Sequence, residues 1–191
     1  IYVNDAFGTC HREHASTAVI AKYFDNRKFA GLLLQKELEA INQISNHGQK
    51  PVLAILGGAK VSSKLNILYN LIKNVDKIIV GGGMAFTFIK SLGGQIGTSL
   101  IEEELILNAK EIINLAEDQG KEIILPIDTN ASKDFNNNKQ VKIFDSMKIE
   151  EGWMGLDIGP KSAEKFNHEI SISNTIFWNG PVGVFEKDLF S

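Results

Sequence analysis

Apolar positions along the chain fall into two kinds of pattern. Short, nearly continuous apolar runs of strand length predict strands buried in a parallel sheet. These runs lie at 52–56, 77–80 and 175–178. Longer stretches with apolar residues three or four positions apart predict amphipathic helices. They lie at 33–46, 61–75, 84–92 and 102–119. Strands therefore alternate with helices, which predicts an α/β fold.

Weaker patterns predict the remaining elements. The chain opens with a strand-like stretch at 1–5, and Ser16 or Thr17 could cap a helix at 16–24. In the second half the predicted elements are a strand at 123–125 stopped by Pro126, a polar loop at Asn136–Asn138, a strand at 141–144, and a turn at 155–162 that leads into a helix ending at Ile170.

Glycines directly follow two of the predicted strands. Gly57 and Gly58 come after the run at 52–56, and Gly81–Gly83 come after the next strand. In an α/β fold both turns lie at the carboxyl edge of the sheet, where ligands bind. Three successive glycines would let a flat ligand such as a nucleoside lie against bare backbone. Close packing of a helix on a strand needs glycines equally, so both interpretations stay open.

Lys60 and Lys64 follow the first glycine turn at the start of the predicted helix. There a cation opposes the helix dipole and like charges four residues apart repel, each at a cost of roughly a few tenths of a kcal/mol. A bound polyphosphate would reverse both effects, and the unsatisfied N–H groups of a helix N-terminus attract an anion. The stretch therefore predicts a phosphate site, against the alternative of an ordinary turn with two solvated lysines. It matches neither GxxxxGK[ST] nor GxGxxG.

Composition narrows the class of protein. The 191 residues are 43% hydrophobic and 23% charged, as in a globular domain. A net charge of -3 argues against a nucleic-acid surface built on bulk positive charge. No apolar run reaches the roughly 20 residues of a membrane span. The single Cys10 is compatible with a reducing cytosol, and the four histidines show no metal-binding spacing.

Other polar residues each allow two interpretations. His11, Arg12 and His14 could hold an anionic substrate or form a solvated loop. Asp157 could cap or fix the turn that precedes the last predicted helix. Glu186, in the glycine-bearing loop after the last strand, could accept hydrogen bonds from a ribose or begin a helix.

Six stretches match a known family in the family's own order along essentially the whole chain. They are VNDAFGTCHREHAS, FAGLLLQKEL, LAILGGAKVSSKL, GGGMAFTF, GLDIGPKS and TIFWNGPVGVFE. On these residues the chain resembles phosphoglycerate kinase. The resemblance implies a Rossmann-like α/β fold of three layers, a parallel sheet with helices on both faces, preceded by the remnant of a second α/β domain and a connecting helix. It implies the end of a 3-phosphoglycerate domain at 1–32, an interdomain helix at 33–47 and most of a nucleotide domain at 48–191.

The resemblance also implies roles by position. Lys60 and Lys64 match the catalytic pair that binds the nucleotide phosphates and the transferred group. Arg12 matches a substrate-binding arginine, with His11 and His14 beside it. The implied nucleotide contacts are Gly58, Ala59, Lys60, Lys64, Gly82, Gly83, Gly155, Asn179, Pro181 and Glu186.

The implied activity is reversible phosphoryl transfer between ATP and the carboxylate of 3-phosphoglycerate, giving 1,3-bisphosphoglycerate and ADP, in a monomeric, cytoplasmic enzyme of glycolysis. Mg²⁺ is expected to arrive on the nucleotide, because the family's aspartate ligand lies beyond Ser191. The first half of the family's substrate domain would precede Ile1. The 191 residues alone are therefore expected to be inactive.

Two departures and two alternatives accompany this interpretation. Ser63 stands where the family usually has an acidic residue, and Lys28 stands where a proline is usual. The chain could instead be a non-catalytic nucleotide-binding module on the same scaffold. A dinucleotide-dependent oxidoreductase domain is disfavoured because GxGxxG is absent.

Overall fold

The structure is a computed structural model of the chain. It describes residues 1–135, 140–187 and 190, apart from the side chains at 43–47. The loop predicted at Asn136–Asn138 lies outside the described residues. The chain divides into two compact units, Ile1–His47 and Gly48–Ser191. In the described part, no helix has both the length and the apolar character needed to cross a membrane.

The first unit contains a small parallel sheet and one long helix. Strand β1, Tyr2–Asn4, pairs with β2, Lys28–Ala30, and helix α1 follows at Leu32–His47. The strand predicted at 1–5 and the helix predicted at 33–46 are thus confirmed.

The stretch predicted as a helix at 16–24 is helical, but it is not one continuous α-helix and neither predicted residue is its N-cap. It forms a π-helical turn at Ala15–Val19 and a 3₁₀ turn at Ile20–Tyr23, with His14 at the N-cap and no capping side chain. The hydroxyl of Thr17 donates to the Arg12 carbonyl at 2.7 Å.

The second unit carries most of the secondary structure. In chain order its elements are β3 Val52–Leu56, α2 Leu65–Leu71, β4 Lys77–Val80, α3 Ala85–Ser91, β5 Gln95–Ile96, α4 Ile106–Asp118, β6 Glu122–Ile124, β7 Asp128–Ser132, β8 Val141–Asp145, β9 Lys148–Ile149, β10 Met154–Ile158, α5 Pro160–Ser171 and β11 Thr175–Asn179. A 3₁₀ turn at Glu103–Leu105 leads into α4, where a single helix from 102 was predicted.

A four-stranded parallel sheet with helices on both faces forms the core. Its strand order is β11-β3-β4-β6, and every residue of β3 is buried, as the apolar run predicted. On one face, Ala54 clusters with residues of α2, α3 and α4, among them Leu68 and Ile112. On the other face, Ile55 clusters with Phe166 of α5. The predicted fold class is confirmed.

Strand β11 was predicted to be buried and is partly exposed. Its side chains alternate, with Ile176 and Trp178 39% and 58% exposed. Among the described residues β11 pairs only with β3, which makes it an edge strand, and the face that bears Ile176 and Trp178 is left uncovered.

The turn predicted at 155–162 is also wrong, because its first residues form β10. This strand pairs antiparallel with β7, which in turn pairs with β8. Gly155 and Asp157 have low strand propensity, so only pairing with β7 reveals the strand. The strand predicted at 141–144 is confirmed as β8.

Helix α2 begins later than its apolar spacing predicted. It starts at Leu65 with Lys64 as N-cap, and the buried Val61 lies in the turn before it. Val75 follows the helix. Lys60 and Lys64 therefore do not share the first turn of a helix, so the repulsion expected of a helical pair four residues apart does not apply, while Lys64 still lies at the positive end of α2.

Candidate functional site

A cavity of about 400 Å³ lies in the second unit, where the parallel strands end. Both glycine turns, β10 and the loop after β11 contribute to its wall. The lining residues are Gly58, Ala59, Gly82, Gly83, Leu100, Phe135, Met154, Gly155, Leu156, Pro181, Gly183, Val184 and Glu186. Every predicted nucleotide contact except Lys60, Lys64 and Asn179 belongs to this lining. The structure brings these residues together, and nucleotide binding by them stays a prediction.

Backbone hydrogen bonds join the two glycine turns to the loop after β11. Gly57 N donates to the Asn179 carbonyl at 3.0 Å, and Gly82 N donates to the Val182 carbonyl at 2.7 Å. A Cβ on Gly82, whose φ is +67°, would lie 2.7 Å from Gly58 N and O. Close packing therefore accounts for the glycine at position 82.

Gly58 differs from Gly82 in what surrounds it. Its φ of +119° is a conformation that glycine adopts readily, and no atom lies within 4 Å of the position a Cβ would take. Because Gly58 also lines the cavity, its bare backbone leaves room there for a ligand.

The two lysines lie next to the cavity wall in the turn that follows Ala59. The Lys64 ammonium donates a hydrogen bond to Asn179 Oδ1. Lys60 is exposed, and its carbonyl accepts a hydrogen bond of 2.9 Å from the Ser63 hydroxyl. The charges that the sequence predicted for phosphate binding thus follow the glycine turn, and that of Lys64 already contacts the last residue of β11.

Glu102 is a residue of this region that the sequence did not reveal. Its carboxylate accepts hydrogen bonds from Ser62 N at 3.0 Å and from Ser62 Oγ at 2.5 Å. Burial raises the pKa of Glu102, but the hydrogen bonds and the charge of Lys60 outweigh it, so its pKa lies below the ordinary value. The N–H group of Ser62, which the sequence left free for an anion, is thus already occupied.

The loop after β11 closes the other side of the cavity. Val184 N donates to the Leu156 carbonyl at 3.1 Å, which ties this loop to β10. The Lys187 ammonium donates to the Phe135 carbonyl. Glu186 is exposed at the cavity wall. The sequence analysis missed six residues of the cavity lining because their spacing along the chain carries no binding pattern. They are Leu100, Phe135, Met154, Leu156, Gly183 and Val184.

Asp128 caps the helix after β10, a role the sequence offered to Asp157. Its carboxylate accepts from Lys161 N at 3.0 Å and from Ser162 N at 2.7 Å, and the Ser162 hydroxyl bonds to it as well. Burial raises the pKa of Asp128. The hydrogen bonds from Ser162 and Lys161 lower it by more, so the pKa lies below its ordinary value of 3.8.

Asp157 instead accepts only a short local hydrogen bond. Its Oδ1 accepts from Ile158 N at 2.7 Å. Burial raises the pKa of Asp157 above its ordinary value, against the smaller opposing effect of that bond.

The residues predicted to bind the second substrate belong to the other unit. His11, Arg12 and His14 are exposed, and Arg12 Nε donates to His11 Nε2 at 3.4 Å. The cavity of the second unit does not contain them. Their substrate-binding role stays a prediction.

The described residues do not provide a protein metal site. No group of three or more His, Cys, Asp or Glu among them is placed to hold a metal ion. Lysine ammonium groups and backbone N–H groups suit phosphate oxygens, whereas Mg²⁺ needs oxygen ligands.

Comparison with known proteins places the chain in a family. A family model described as phosphoglycerate kinase matches residues 1–191. Proteins named phosphoglycerate kinase from Campylobacter concisus and Aliarcobacter butzleri are 51% and 50% identical over 191 and 192 residues, covering 100% of this chain and 48% of each relative. The chain thus spans about half the length of the curated relatives it matches.

Solved structures agree with this. A phosphoglycerate kinase structure from Coxiella burnetii is similar with a TM-score of 0.89 and 37% identity over 99% of this chain and 48% of that one. The phosphoglycerate kinase from Pyrococcus horikoshii gives a TM-score of 0.82 at 26% identity over 98% of this chain and 47% of that one. With the family model matching its whole length, the chain belongs to the phosphoglycerate kinase family.

Proposed function

We propose that the second unit binds ATP or ADP in the 400 Å³ cavity and that the whole protein transfers the γ-phosphoryl group of ATP reversibly to the carboxylate of 3-phosphoglycerate. The observation that carries the proposal is the meeting of two glycine turns and the loop after β11 around this cavity, with Lys60 and Lys64 following directly. A nucleoside would occupy the largely apolar wall. The phosphates would extend toward the lysines.

The proposed reaction requires little covalent chemistry from the protein. A carboxylate oxygen attacks the γ-phosphorus, the bond from that phosphorus to the bridging β,γ-oxygen breaks, and ADP leaves. The attacking carboxylate is already ionised at neutral pH, so no general base is required. Catalysis then depends on in-line positioning and on positive charge beside the oxygens of the transferred group. Lys60 and Lys64 would supply that charge.

Lys64 would change its hydrogen-bond partner between the nucleotide-free and the nucleotide-bound protein. The Lys64 ammonium now bonds to Asn179 Oδ1, a neutral acceptor. A phosphate oxygen is a stronger acceptor for an ammonium group than an amide oxygen is. We therefore expect Lys64 to exchange Asn179 for the nucleotide when it binds.

Mg²⁺ would come with the nucleotide. When bound it would neutralise charge on the β- and γ-phosphates. Among the residues that the structure describes, no group of side chains fits a direct Mg²⁺ site.

The 191 residues alone should bind nucleotide without turning it over. They span 48% of the length of the Campylobacter concisus relative, and the expected remainder carries most of the substrate site. From family likeness we also expect a cytoplasmic monomer. Light scattering on the full-length protein tests whether it is a monomer.

Isothermal titration of the 191-residue chain tests the binding proposal. We expect MgADP to bind, NADH not to bind, and ATP-dependent phosphorylation of 3-phosphoglycerate to be near background. NADH binding in place of MgADP would favour the oxidoreductase alternative. Turnover of the full-length protein separates the kinase from a non-catalytic nucleotide-binding module, because only the kinase forms 1,3-bisphosphoglycerate.

A further inference from the structure

The turn that carries the two lysines is held from outside by a single carboxylate. Glu102 lies 40 positions after Ser62 in the chain, and its two carboxylate oxygens bond separately to Ser62 N and Ser62 Oγ. Bonds to an ionised acceptor are about twice as strong as neutral ones. Glu102 therefore fixes the backbone between Lys60 and Lys64.

The backbone of Glu102 is in turn held by helix α3. Its backbone N–H donates to Thr87 Oγ1 at 3.2 Å, and Thr87 is 1% exposed within α3. Helix α3 follows the second glycine turn. A continuous path of hydrogen bonds thus runs from α3 through Glu102 to the lysine turn, and it spans both glycine turns of the cavity.

Bonds inside the turn complete this restraint. The Ser63 hydroxyl donates to the Lys60 carbonyl at 2.9 Å, and Lys64 N donates to the Val61 carbonyl at 2.8 Å. The Val61 side chain is fully buried. The backbone positions of both lysines are therefore set, while the Lys64 ammonium keeps its bond to Asn179.

We propose that Glu102 is a positioning residue for the nucleotide phosphates, acting by holding the Lys60–Lys64 turn in the geometry from which both lysines reach them. This inference rests on the proposed nucleotide site. A fixed turn lowers the entropy that must be lost when two flexible lysine side chains engage a polyphosphate. Glu102 itself would not touch the nucleotide.

Positioning by Glu102 and simple electrostatics predict opposite changes in the affinity for MgADP when Glu102 is removed. Glu102 carries a negative charge near Lys60, and removing it would by charge alone strengthen the binding of an anion. If positioning dominates, Glu102→Ala weakens MgADP binding by about tenfold, the effect of losing a charge-assisted hydrogen bond. Binding of adenosine, which has no phosphate, should stay within about twofold, since only the phosphate-binding turn is disturbed.

The experiment is titration of the 191-residue chain and its variants with MgADP and with adenosine. Glu102→Gln keeps one carbonyl acceptor and should recover part of the MgADP affinity. Glu104→Ala, which removes an exposed neighbouring carboxylate, is the matched control and should bind both ligands like the unaltered chain. Should Glu102→Ala fold poorly, Ser62→Ala removes one of the same bonds and should weaken MgADP binding selectively.

Three outcomes would overturn the inference. They are unchanged or tighter MgADP binding by Glu102→Ala, equal weakening of MgADP and adenosine, and a Glu104→Ala effect as large as that of Glu102→Ala. Failure of the unaltered chain to bind MgADP would instead overturn the proposed function, and this inference with it. Hydrogen exchange at the Ser62 amide separates the cases, because a loosened turn loses protection whether or not nucleotide binds.

Discussion

The Lys64 ammonium donates a hydrogen bond to Asn179 Oδ1 across 115 positions of sequence. The same asparagine accepts a backbone bond from Gly57 at the first glycine turn. Lys64 is therefore not a freely solvated side chain. Its charge is held against the last residue of β11, next to the cavity.

Lys64→Ala in the full-length protein should reduce turnover far more than nucleotide affinity. Its charge would stabilise the transferred phosphoryl group most strongly in the transition state, so we expect kcat to fall by about 100-fold or more while the KM for ATP changes by about threefold or less. Steady-state kinetics at varied ATP measures both quantities.

The matched control for this substitution is Lys73→Ala. Lys73 is exposed and follows α2, away from the cavity lining, so both kinetic constants should be unchanged. If Lys64→Ala reduced affinity and turnover by the same factor, Lys64 would serve in ground-state binding alone.

Gly82→Ala should destabilise the second unit and abolish MgADP binding. Alanine at φ +67° costs about 1 kcal/mol, and its Cβ would also overlap the Gly58 backbone, which adds about 2 kcal/mol or more. Urea unfolding measures the first effect and titration calorimetry the second.

Gly120→Ala separates the two contributions to that cost. Gly120 has a nearly identical φ of +66°, but nothing lies within 4 Å of its Cβ position. It should lose only about 1 kcal/mol and keep nucleotide binding. Equal losses in the two variants would show that contact between the glycine turns contributes nothing.

Asp128→Ala should lower the free energy of unfolding by about 2–3 kcal/mol, because it removes a helix cap and leaves buried N–H groups of α5 without an acceptor. Chemical denaturation monitored by tryptophan fluorescence measures this. Asp118→Ala is the control, since this exposed acid ends α4 and its removal should leave stability unchanged or slightly higher. A similar loss in both variants would exclude the capping role.

The Asp128 pKa predicts a pH dependence with a definite sign. Its folded pKa lies below its unfolded value of 3.8, so between these values the unfolded state binds more protons. The stabilisation by Asp128 is fully present above pH 5 and is lost as the pH falls through the folded pKa. Asp128→Asn should therefore differ most from the unaltered chain at neutral pH and converge with it in acid. A stability difference independent of pH would contradict the assignment.

Strand and glycine patterns were predictable because their causes are local. The apolar run at 52–56 can only be buried on both faces, and glycines placed after two parallel strands must meet at one edge of the sheet. The position of the cavity follows from these features.

The failures of prediction share a physical cause. Strand β10 exists because β7 pairs with it, and β11 is partly exposed because Ile176 and Trp178 lie on a face that is not covered by packing. Helix α2 begins only at Leu65, after a turn whose Ser62 is bonded to the distant Glu102. None of these partners lies within a helical or strand period of the residue it affects.

The sequence by itself determined the α/β class, the buried central strand and the edge of the sheet at which the two glycine turns lie, since periodicity and glycine conformation act over a few residues. Only the tertiary structure decided that Asn179 receives Lys64, that Glu102 holds Ser62, and that Asp128 caps α5. Those contacts require distant segments to meet, and which segments meet depends on how the sheet orders its strands.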